Sequence, residues 1–364
     1  MEKGRDNSTP SPPRQTPQPE GSGAAAAGRL PGGSPWQPWI AAVVLSVFLV
    51  SVAEYAWRRA GIRPSLVDDR LLWSTQRERV EQSGRKRAVF IGSSRMQLGL
   101  VPDTFREATD GWEPIQLAVD GAAPLATLRD VAHRSDFDGI VVVSLLPWCL
   151  LPELWRMQEG HVRFYHTQWN TLTRLSRDLR SLVEERVVAV NPHVNLLQVI
   201  PRLMRGRGVP AQFLETHRSR WHRARYEQIP DLATYAAERA KQSELEFKAM
   251  RRDLSPLEWL SLVAHANKLV ERLQSRGGRV VFVRFPSAGT VWDLEKTYFP
   301  RSRYWDVLAR NTSAATLHFQ DVPEMSSLPC PDGSHLDARY ADVFTRALAR
   351  ELAQLGFLQD EGTE

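Results

Sequence analysis

The sequence has very few cysteines and almost no excess of charge of either sign. Cys149 and Cys330 are the only two cysteines among 364 residues, which excludes a disulfide-framework fold and a four-cysteine zinc site. The nine histidines include no H-x-x-x-H pair beside a carboxylate, so we expect no bound metal and no cofactor. A formal net charge of +5 is small for this length and gives no reason to expect a nucleic-acid partner.

Long apolar runs are also scarce, with one exception near the N-terminus. Ile40–Ala53 is nearly unbroken and apolar, and the 22 residues from Trp36 to Trp57 that enclose it would span about 33 Å as a helix, enough for a hydrocarbon core of about 30 Å. Aromatic residues at both ends are typical of a membrane span. The run predicts a transmembrane signal anchor over residues 36–57. A cleaved signal peptide and a buried core helix are the alternatives.

The segments on either side of this run differ in composition. Residues 1–35 contain seven prolines, six glycines and four serines, with Leu30 as the only large aliphatic residue. We expect a disordered tail there, because such a segment cannot bury enough apolar surface to offset its ordering entropy. Residues 58–85 are expected to form a juxtamembrane linker. The positive-inside rule does not decide the orientation, since basic residues occur on both sides: Lys3, Arg5, Arg14 and Arg29, then Arg58, Arg59 and Arg63.

Residues 86–358 have the pattern of an α/β domain. Hydrophobic residues make up 42% of the sequence, enough for a sizeable core. Continuous apolar segments that alternate with segments of helical length are typical of a parallel sheet, and they predict strands at Val89–Ile91, Ile115–Val119, Ile140–Val143, Val280–Val283 and Leu317–Phe319. A capping box at residues 255–258, Ser-Pro-Leu-Glu, predicts a helix that runs to about Arg276.

Residues 150–250 interrupt this pattern with a helix-rich, arginine-rich insertion. Between Arg202 and Arg225 there are seven arginines and two histidines but a single acidic residue, Glu215. A solvated basic face, contact with an anionic membrane surface and contact with an acidic polymer all fit this composition.

Three short motifs carry residues suited to nucleophilic catalysis. Residues 92–95, Gly-Ser-Ser-Arg, follow the first strand and would present a serine at the carboxyl edge of the sheet. Gly121 follows the second strand, where it frees backbone N–H groups to approach a ligand. In residues 332–335, Asp-Gly-Ser-His, the aspartate can turn back onto the imidazole and leave its other nitrogen free as a general base. Each motif on its own is also typical of an ordinary turn that has no catalytic role. Asp337 would then cap a last helix from Ala338 to about Leu355.

In their order and context these motifs resemble the SGNH (GDSL-like) hydrolase superfamily, over about residues 86–145 and 255–355. The resemblance implies an α/β, flavodoxin-like three-layer sandwich with a five-stranded parallel sheet and a helical insertion after the third strand. By match, Ser94 is the nucleophile, and Asp332 and His335 complete the triad. The backbone N–H groups of Ser94 and Gly121 would stabilise the oxyanion, and Arg95 is a candidate substrate-binding residue.

The sequence departs from the family pattern at two positions. Ser93 stands where the family has the aspartate of Gly-Asp-Ser. The family's third block, G-x-N-D, should fall near residues 144–147, which are Ser-Leu-Leu-Pro and contain no asparagine. Loss of one oxyanion donor lowers the rate by roughly 10²–10³ in a working site. Three explanations stay open: another group replaces the missing asparagine as oxyanion donor, the protein is a slow enzyme, or it is a non-catalytic relative of the family.

The residues of the first and third motifs, Gly-Ser-Ser-Arg and Asp-Gly-Ser-His, resemble those of the bacterial membrane-anchored branch of this superfamily. That branch is close to acyltransferase-like proteins of exopolysaccharide and cell-envelope modification. The resemblance implies a single-pass inner-membrane protein with an extracytoplasmic serine esterase or O-acyltransferase domain that acts on a carbohydrate or acylated envelope substrate. The alternative is a non-catalytic binding or scaffold protein that works with polysaccharide-assembly proteins.

We expect the insertion to leave the sheet at its carboxyl edge and to form a helical cap beside Ser94. Its apolar wall would comprise Trp155, Phe164, Tyr165 and Trp169, and its positive rim would include Arg218, Arg220 and Arg223. Cys149 follows the third strand and Cys330 precedes the Asp-His loop, so a disulfide could brace that loop in an oxidising compartment. Two free buried thiols are the alternative.

Overall fold

The computed structural model describes residues 36–82, 86–191, 211–250 and 254–359, with a few single positions between 194 and 206. The predicted tail, residues 1–35, lies outside the described residues. The chain divides into two units, one up to Leu49 and one from Val50 onward. An apolar helix, α1, spans Gln37–Arg59; among the described residues it is the only helix long and apolar enough to cross a membrane, and none of its side chains is buried.

A five-stranded parallel sheet forms the centre of the second unit, as predicted. Its order is β2-β1-β3-β6-β7, which is the doubly wound order once the hairpin β4-β5 is left out. Every strand pair in this sheet is parallel. The strands are β1 (Arg87–Ile91), β2 (Glu113–Gln116), β3 (Ile140–Ser144), β4 (Leu214–Thr216), β5 (His222–Ala224), β6 (Arg279–Arg284) and β7 (Ala315–His318).

Helices connect the strands and cover the sheet. The capping box at Ser255 starts its helix as predicted, since the Ser255 side chain accepts from the Glu258 N–H and the Glu258 side chain accepts from the Ser255 N–H. The helices after α1 are α2 (Arg70–Val80), α3 (Ser94–Gly99), α4 (Pro102–Ala108), α5 (Leu125–Arg134), α6 (Glu159–Gln168), α7 (Thr171–Glu184), α8 (Leu232–Met250), α9 (Pro256–Gln274), α10 (Gly289–Tyr298), α11 (Trp305–Arg310), α12 (Pro323–Ser326) and α13 (Ala338–Gln354).

Two apolar cores lie on opposite faces of the sheet. Because side chains alternate along a strand, Val141 and Val143 of β3 enter one core, with residues of α2, α5 and α9. Ile140 and Val142 enter the other, with residues of α3, α4 and α13. Strand β3 is buried on both faces, which accounts for its uninterrupted Ile-Val-Val-Val sequence.

The insertion contains an antiparallel hairpin, β4-β5, besides the predicted helices. Its turn residue Arg220 has a φ of 63° and is buried. The guanidinium is paired with Asp68 at 2.6 Å and donates to the Gln116 carbonyl at the end of β2 at 3.1 Å. The prediction that Arg220 lies on a substrate-binding rim is therefore corrected: it anchors the hairpin to the edge of the sheet, because a buried guanidinium needs a carboxylate and carbonyl partners.

The buried histidine at the end of β7, His318, should make the free energy of unfolding depend on pH. Burial is the main cause that lowers the pKa of His318 to about 3, against about 6.5 in an unfolded chain. As the pH falls below 6.5 the unfolded state takes up the proton first, so stability present at pH 7 is lost on acidification. From pH 7 to pH 5 this one group should reduce the free energy of unfolding by about 2 kcal/mol.

The variant His318→Asn tests this. Asparagine keeps an acceptor for the Gln320 N–H that His318 Nδ1 now accepts at 3.2 Å. Urea unfolding of the detergent-solubilised chain at the two pH values should lose about 2 kcal/mol less in the variant than in the wild type. An equal loss in both proteins would show that His318 is not the group that titrates.

Candidate active site

Ser94 occupies the turn between β1 and α3. It is the first residue of α3, and Ser93 precedes it in an extended conformation. A side chain at Gly92 would not fit, because a Cβ atom there would lie 2.8 Å from the Ser144 Cβ and 2.9 Å from the Met96 Cβ. Glycine therefore lets this turn pack against the end of β3, which places Ser94 at the carboxyl edge of the sheet.

Ser94, His335 and Asp332 form a continuous hydrogen-bonded chain. His335 Nε2 lies 2.8 Å from Ser94 Oγ, and His335 Nδ1 lies 2.8 Å from Asp332 Oδ2. A carboxylate only accepts, so Nδ1 carries the proton and Nε2 is free to accept from the serine hydroxyl. These distances are those of a nucleophile, its base and a residue that orients the base.

Asp332 is held as a carboxylate. Its burial would raise the pKa, but the hydrogen bond and charge of His335 and two backbone N–H groups together hold the pKa well below its usual value. Those N–H groups belong to Ser334 and His335 and donate to Asp332 Oδ1 at 2.9 Å and 2.8 Å. The loop thus closes on its own aspartate, and the imidazole orientation is fixed by three bonds to one side chain.

Tyr226 is a further member of the site that the sequence did not indicate. Its hydroxyl donates to Asp332 Oδ2 at 2.9 Å, and its side chain is buried. Burial and the Asp332 carboxylate raise the pKa of Tyr226, so the phenol keeps its proton and acts as a donor. Its backbone N–H also donates to Asp337 Oδ2 at 3.3 Å. A residue of the insertion therefore helps to orient Asp332.

Ser94 and Gly121, whose backbone N–H groups are predicted as oxyanion donors, line one cavity. Gly121, with a φ of 64°, lines the same cavity as Ser94. Within the described part of the chain, neither the Gly121 nor the Ser94 N–H donates to a protein acceptor. Free amides beside a nucleophile are what an oxyanion requires. The segment 144–147 contributes Leu146 to the cavity lining and no side-chain donor.

Gln158 joins the loops that carry these amides. Its side-chain amide is fully buried and donates to the Gly92 carbonyl at 2.9 Å and to the Ala122 carbonyl at 3.3 Å. Its oxygen accepts from the Thr127 hydroxyl. One side chain thus holds the turn after β1 and the loop after β2 at a fixed separation. No sequence motif marks this glutamine, which lies in the insertion, 66 residues from Gly92.

A cavity of about 530 Å³ opens beside Ser94. Helix α8 of the insertion covers one side of it. Its lining combines apolar residues with polar and charged ones, and α8 contributes both kinds. The apolar lining comprises Ala122, Ala123, Leu146, Trp148, Leu154, Met157, Phe247, Ala249 and Met250; the polar lining includes Asp120, Arg239, Ser243 and Glu246.

The predicted wall and rim residues lie elsewhere. Trp155, Phe164, Tyr165, Trp169, Arg218 and Arg223 are not among the residues that line this cavity in the described part of the chain. Trp155 instead stacks on His265 with ring centroids 4.2 Å apart, and Tyr165 packs edge-on against Trp73. Arg218 is paired with Asp178 at 2.6 Å. The insertion does cover Ser94, but through α8 and the segment around Leu154 and Met157.

Arg95 is largely buried, lines the cavity and serves as a brace for the site, while its role in substrate binding stays a prediction. Its guanidinium is paired with Glu295 at 2.6 Å and donates to the Ser287 and Ser334 hydroxyls at 2.6 Å and 3.3 Å. Glu295 also pairs with Arg284. Since Arg95 follows Ser94 and Ser334 precedes His335, this network ties the serine turn to the histidine loop.

The two cysteines are free and buried in this structure. Burial raises the pKa of Cys149 to about 11 and that of Cys330 to about 12. Both groups are therefore thiols at neutral pH, and the disulfide considered from the sequence is not formed here. Cys149 contributes a buried thiol to the cavity lining beside Trp148.

Removal of the charge on Glu295 should destabilise the domain strongly. Glu295→Gln leaves Arg95 and Arg284 buried without a carboxylate, which should reduce the free energy of unfolding by about 3–5 kcal/mol. Asp321→Asn is a matched control, since Asp321 pairs with Arg301 at 2.7 Å but is half exposed; it should cost less than about 1 kcal/mol. Denaturant unfolding measures both, and equal effects would contradict a bracing role for the buried pair.

No protein-family model matches this sequence, and no curated protein matches it. The α/β class therefore rests on the structure itself, through the five-stranded parallel sheet. What the site can do rests on the three side chains that converge at the carboxyl edge of that sheet.

Proposed function

We propose that the chain is a membrane-anchored SGNH-type serine esterase or O-acyltransferase. The observation that carries the proposal is the hydrogen-bonded chain from Asp332 through His335 to Ser94, at the carboxyl end of β1. The sheet order and the positions of the serine after β1, the glycine after β2 and the Asp-His loop before the last helix fit that superfamily.

In the proposed reaction, Ser94 Oγ attacks the carbonyl carbon of an ester while its proton moves to His335 Nε2. The oxyanion that forms accepts hydrogen bonds from the Ser94 and Gly121 N–H groups. When the tetrahedral species collapses, the ester C–O bond breaks and the leaving alcohol takes the proton from His335. Water or a sugar hydroxyl then gives its proton to His335 and attacks the acyl-serine; the bond between the acyl carbon and Ser94 Oγ breaks, His335 returns the proton to Ser94 Oγ, and an acid or a new ester is released.

The cavity lining suggests how a substrate is held. Its apolar wall, which includes Trp148, Phe247 and Met250, suits an acyl chain. Arg239, on the same helix as Phe247 and Met250, also lines the cavity, and its buried Nε has no hydrogen-bond partner among the described residues. A carbonyl or anionic group of a carbohydrate ester would satisfy it. With α1 as an inner-membrane anchor, such a substrate would come from the cell envelope and the domain would be extracytoplasmic.

A non-catalytic binding or scaffold protein is the second candidate. It is favoured by one observation: the segment 144–147 supplies no side-chain donor to the cavity, where the superfamily has an asparagine. Two backbone amides alone give a weaker oxyanion site than two amides and an amide side chain. Turnover of a simple ester separates the two candidates.

Ser94→Ala should abolish hydrolysis of a short-chain p-nitrophenyl ester. Without the nucleophile the rate should fall by at least about 10³-fold. Ser93→Ala is the matched control, because Ser93 lies in the same turn but its side chain makes no capping hydrogen bond; it should retain activity. A wild-type protein without activity above buffer, or a Ser94→Ala variant as active as wild type, would favour the scaffold candidate.

Tyr226→Phe should slow the same reaction and change its pH dependence. The variant loses a hydrogen bond to a carboxylate, which should lower kcat about 10-fold. Asp332, without the phenol, becomes a stronger acceptor for the imidazolium, so the acidic limb of the pH–rate profile should move to higher pH.

Tyr235→Phe is the control for this variant. Tyr235 contacts the Tyr226 ring at 6.4 Å between centroids but donates no hydrogen bond to Asp332. Its removal should leave both the rate and the pH profile unchanged. A Tyr226→Phe profile that superimposes on the wild-type profile would mean that Tyr226 only packs against the loop.

A further inference from the structure

Helix α7 turns its apolar side outward. Leu172, Leu175, Leu179, Leu182 and Val183 are all exposed, with 42–78% of their surface accessible. At 100° per residue these positions fall within an arc of about 100° on one side of the helix. A continuous exposed stripe of this kind marks an interaction surface and differs from the scattered apolar residues of an ordinary surface.

The orientation of α7 is fixed by its polar side. Arg177 is fully buried and donates to Ser181 Oγ at 3.1 Å and to Glu184 Oε2 at 2.7 Å. Glu184 in turn accepts from the Val67 N–H at 3.3 Å, and Arg180 is paired with Asp69 at 3.3 Å. Rotation of the stripe toward the domain would break the bonds of α7 to Val67 and Asp69 and carry the buried Arg177 and Glu184 out of the interior. The apolar stripe therefore stays outward.

The chain that leaves α7 is held by the last turns of α1. The Arg58 guanidinium donates to the Arg186 carbonyl at 2.7 Å, and the Ala189 N–H donates to Glu54 Oε2 at 2.9 Å. Trp57 packs against a small core formed by Ile62, Val188 and Val194. These contacts begin two residues after Glu184, and Glu54 directly follows the apolar run Ile40–Ala53. The segment that follows the exposed stripe is thus bonded to the residues that directly follow the apolar run, although the two lie 128 and 135 residues apart in the chain.

We propose that α7 lies on the membrane surface, with its apolar stripe in the interfacial region of the bilayer that α1 crosses. A helix with one apolar and one charged side is suited to lie in the plane of that interface. The contacts of Glu54 and Arg58 hold the segment after α7 at the membrane end of the anchor, so a bilayer is the occupant that α1 brings within reach. The proposal is independent of the chemistry at Ser94.

The test uses the full chain in nanodiscs of phosphatidylcholine with a minority of phosphatidylglycerol. Single variants Leu172→Cys and Leu179→Cys carry a fluorescent label, after subtraction of the label taken up by the wild type with its two buried cysteines. Leu257→Cys is the matched control, since Leu257 is as exposed as Leu172, at 78%, in the first turn of α9. Phe48→Cys in α1 reports lipid contact of the anchor.

Spin-labelled lipids should quench the labels at positions 172 and 179 several-fold more than the label at 257, and aqueous iodide should show the opposite order. Quenching at 172 and 179 equal to that at 257 would overturn the proposal. Protection from iodide without quenching by lipid would also overturn it, since a second copy or another protein would then cover the stripe. If lipid does not quench the label at position 48, α1 does not cross the bilayer, and the bilayer would be excluded as the partner of the apolar stripe.

Discussion

The carboxylate of Asp332 is the group on which the site depends. Four donors converge on it: the Ser334 and His335 N–H groups, the His335 imidazole and the Tyr226 hydroxyl. A buried charge is tolerated only when it is so satisfied; three of the donors come from the loop of Asp332 itself and the fourth from the insertion. The loop, the base and the insertion are therefore held together by a single side chain, and the orientation of His335 toward Ser94 follows from it.

Buried ion pairs hold the surrounding loops in place. Arg95 and Glu295 connect the serine turn to the loop that carries His335, while Arg220 and Asp68 attach the insertion hairpin at the end of β2. Such pairs add little net stability compared with apolar residues, but the loss of one partner is costly. These pairs fix the relative positions of the loops that they connect.

Ser94 lies 241 residues from His335 and is placed with it only through the family resemblance. The sheet and the Asp332–His335 pair could be predicted because they are local signals: runs such as Ile140–Ser144 encode buried strands, and Asp332 and His335 are three residues apart. The roles of Tyr226 and Gln158 could not, since their partners lie 106 and 66 residues away and no spacing rule links them. The basic stretch between Arg202 and Arg225 is expected to provide a positive rim, and Arg220 departs from this because its partner is also distant in the chain. Composition counts Arg220 as a surface charge, whereas Asp68, 152 residues distant, makes it a buried one.

The central claim is that Ser94 is a nucleophile activated by His335. The most direct measurement treats the full chain with an organofluorophosphonate, which phosphonylates an activated serine with loss of fluoride, and locates the adduct by peptide mass spectrometry. We predict one adduct, on Ser94, whose formation is strongly slowed in His335→Asn and absent in Ser94→Ala. No adduct on Ser94, or labelling of Ser94 at the same rate without His335, would contradict the account.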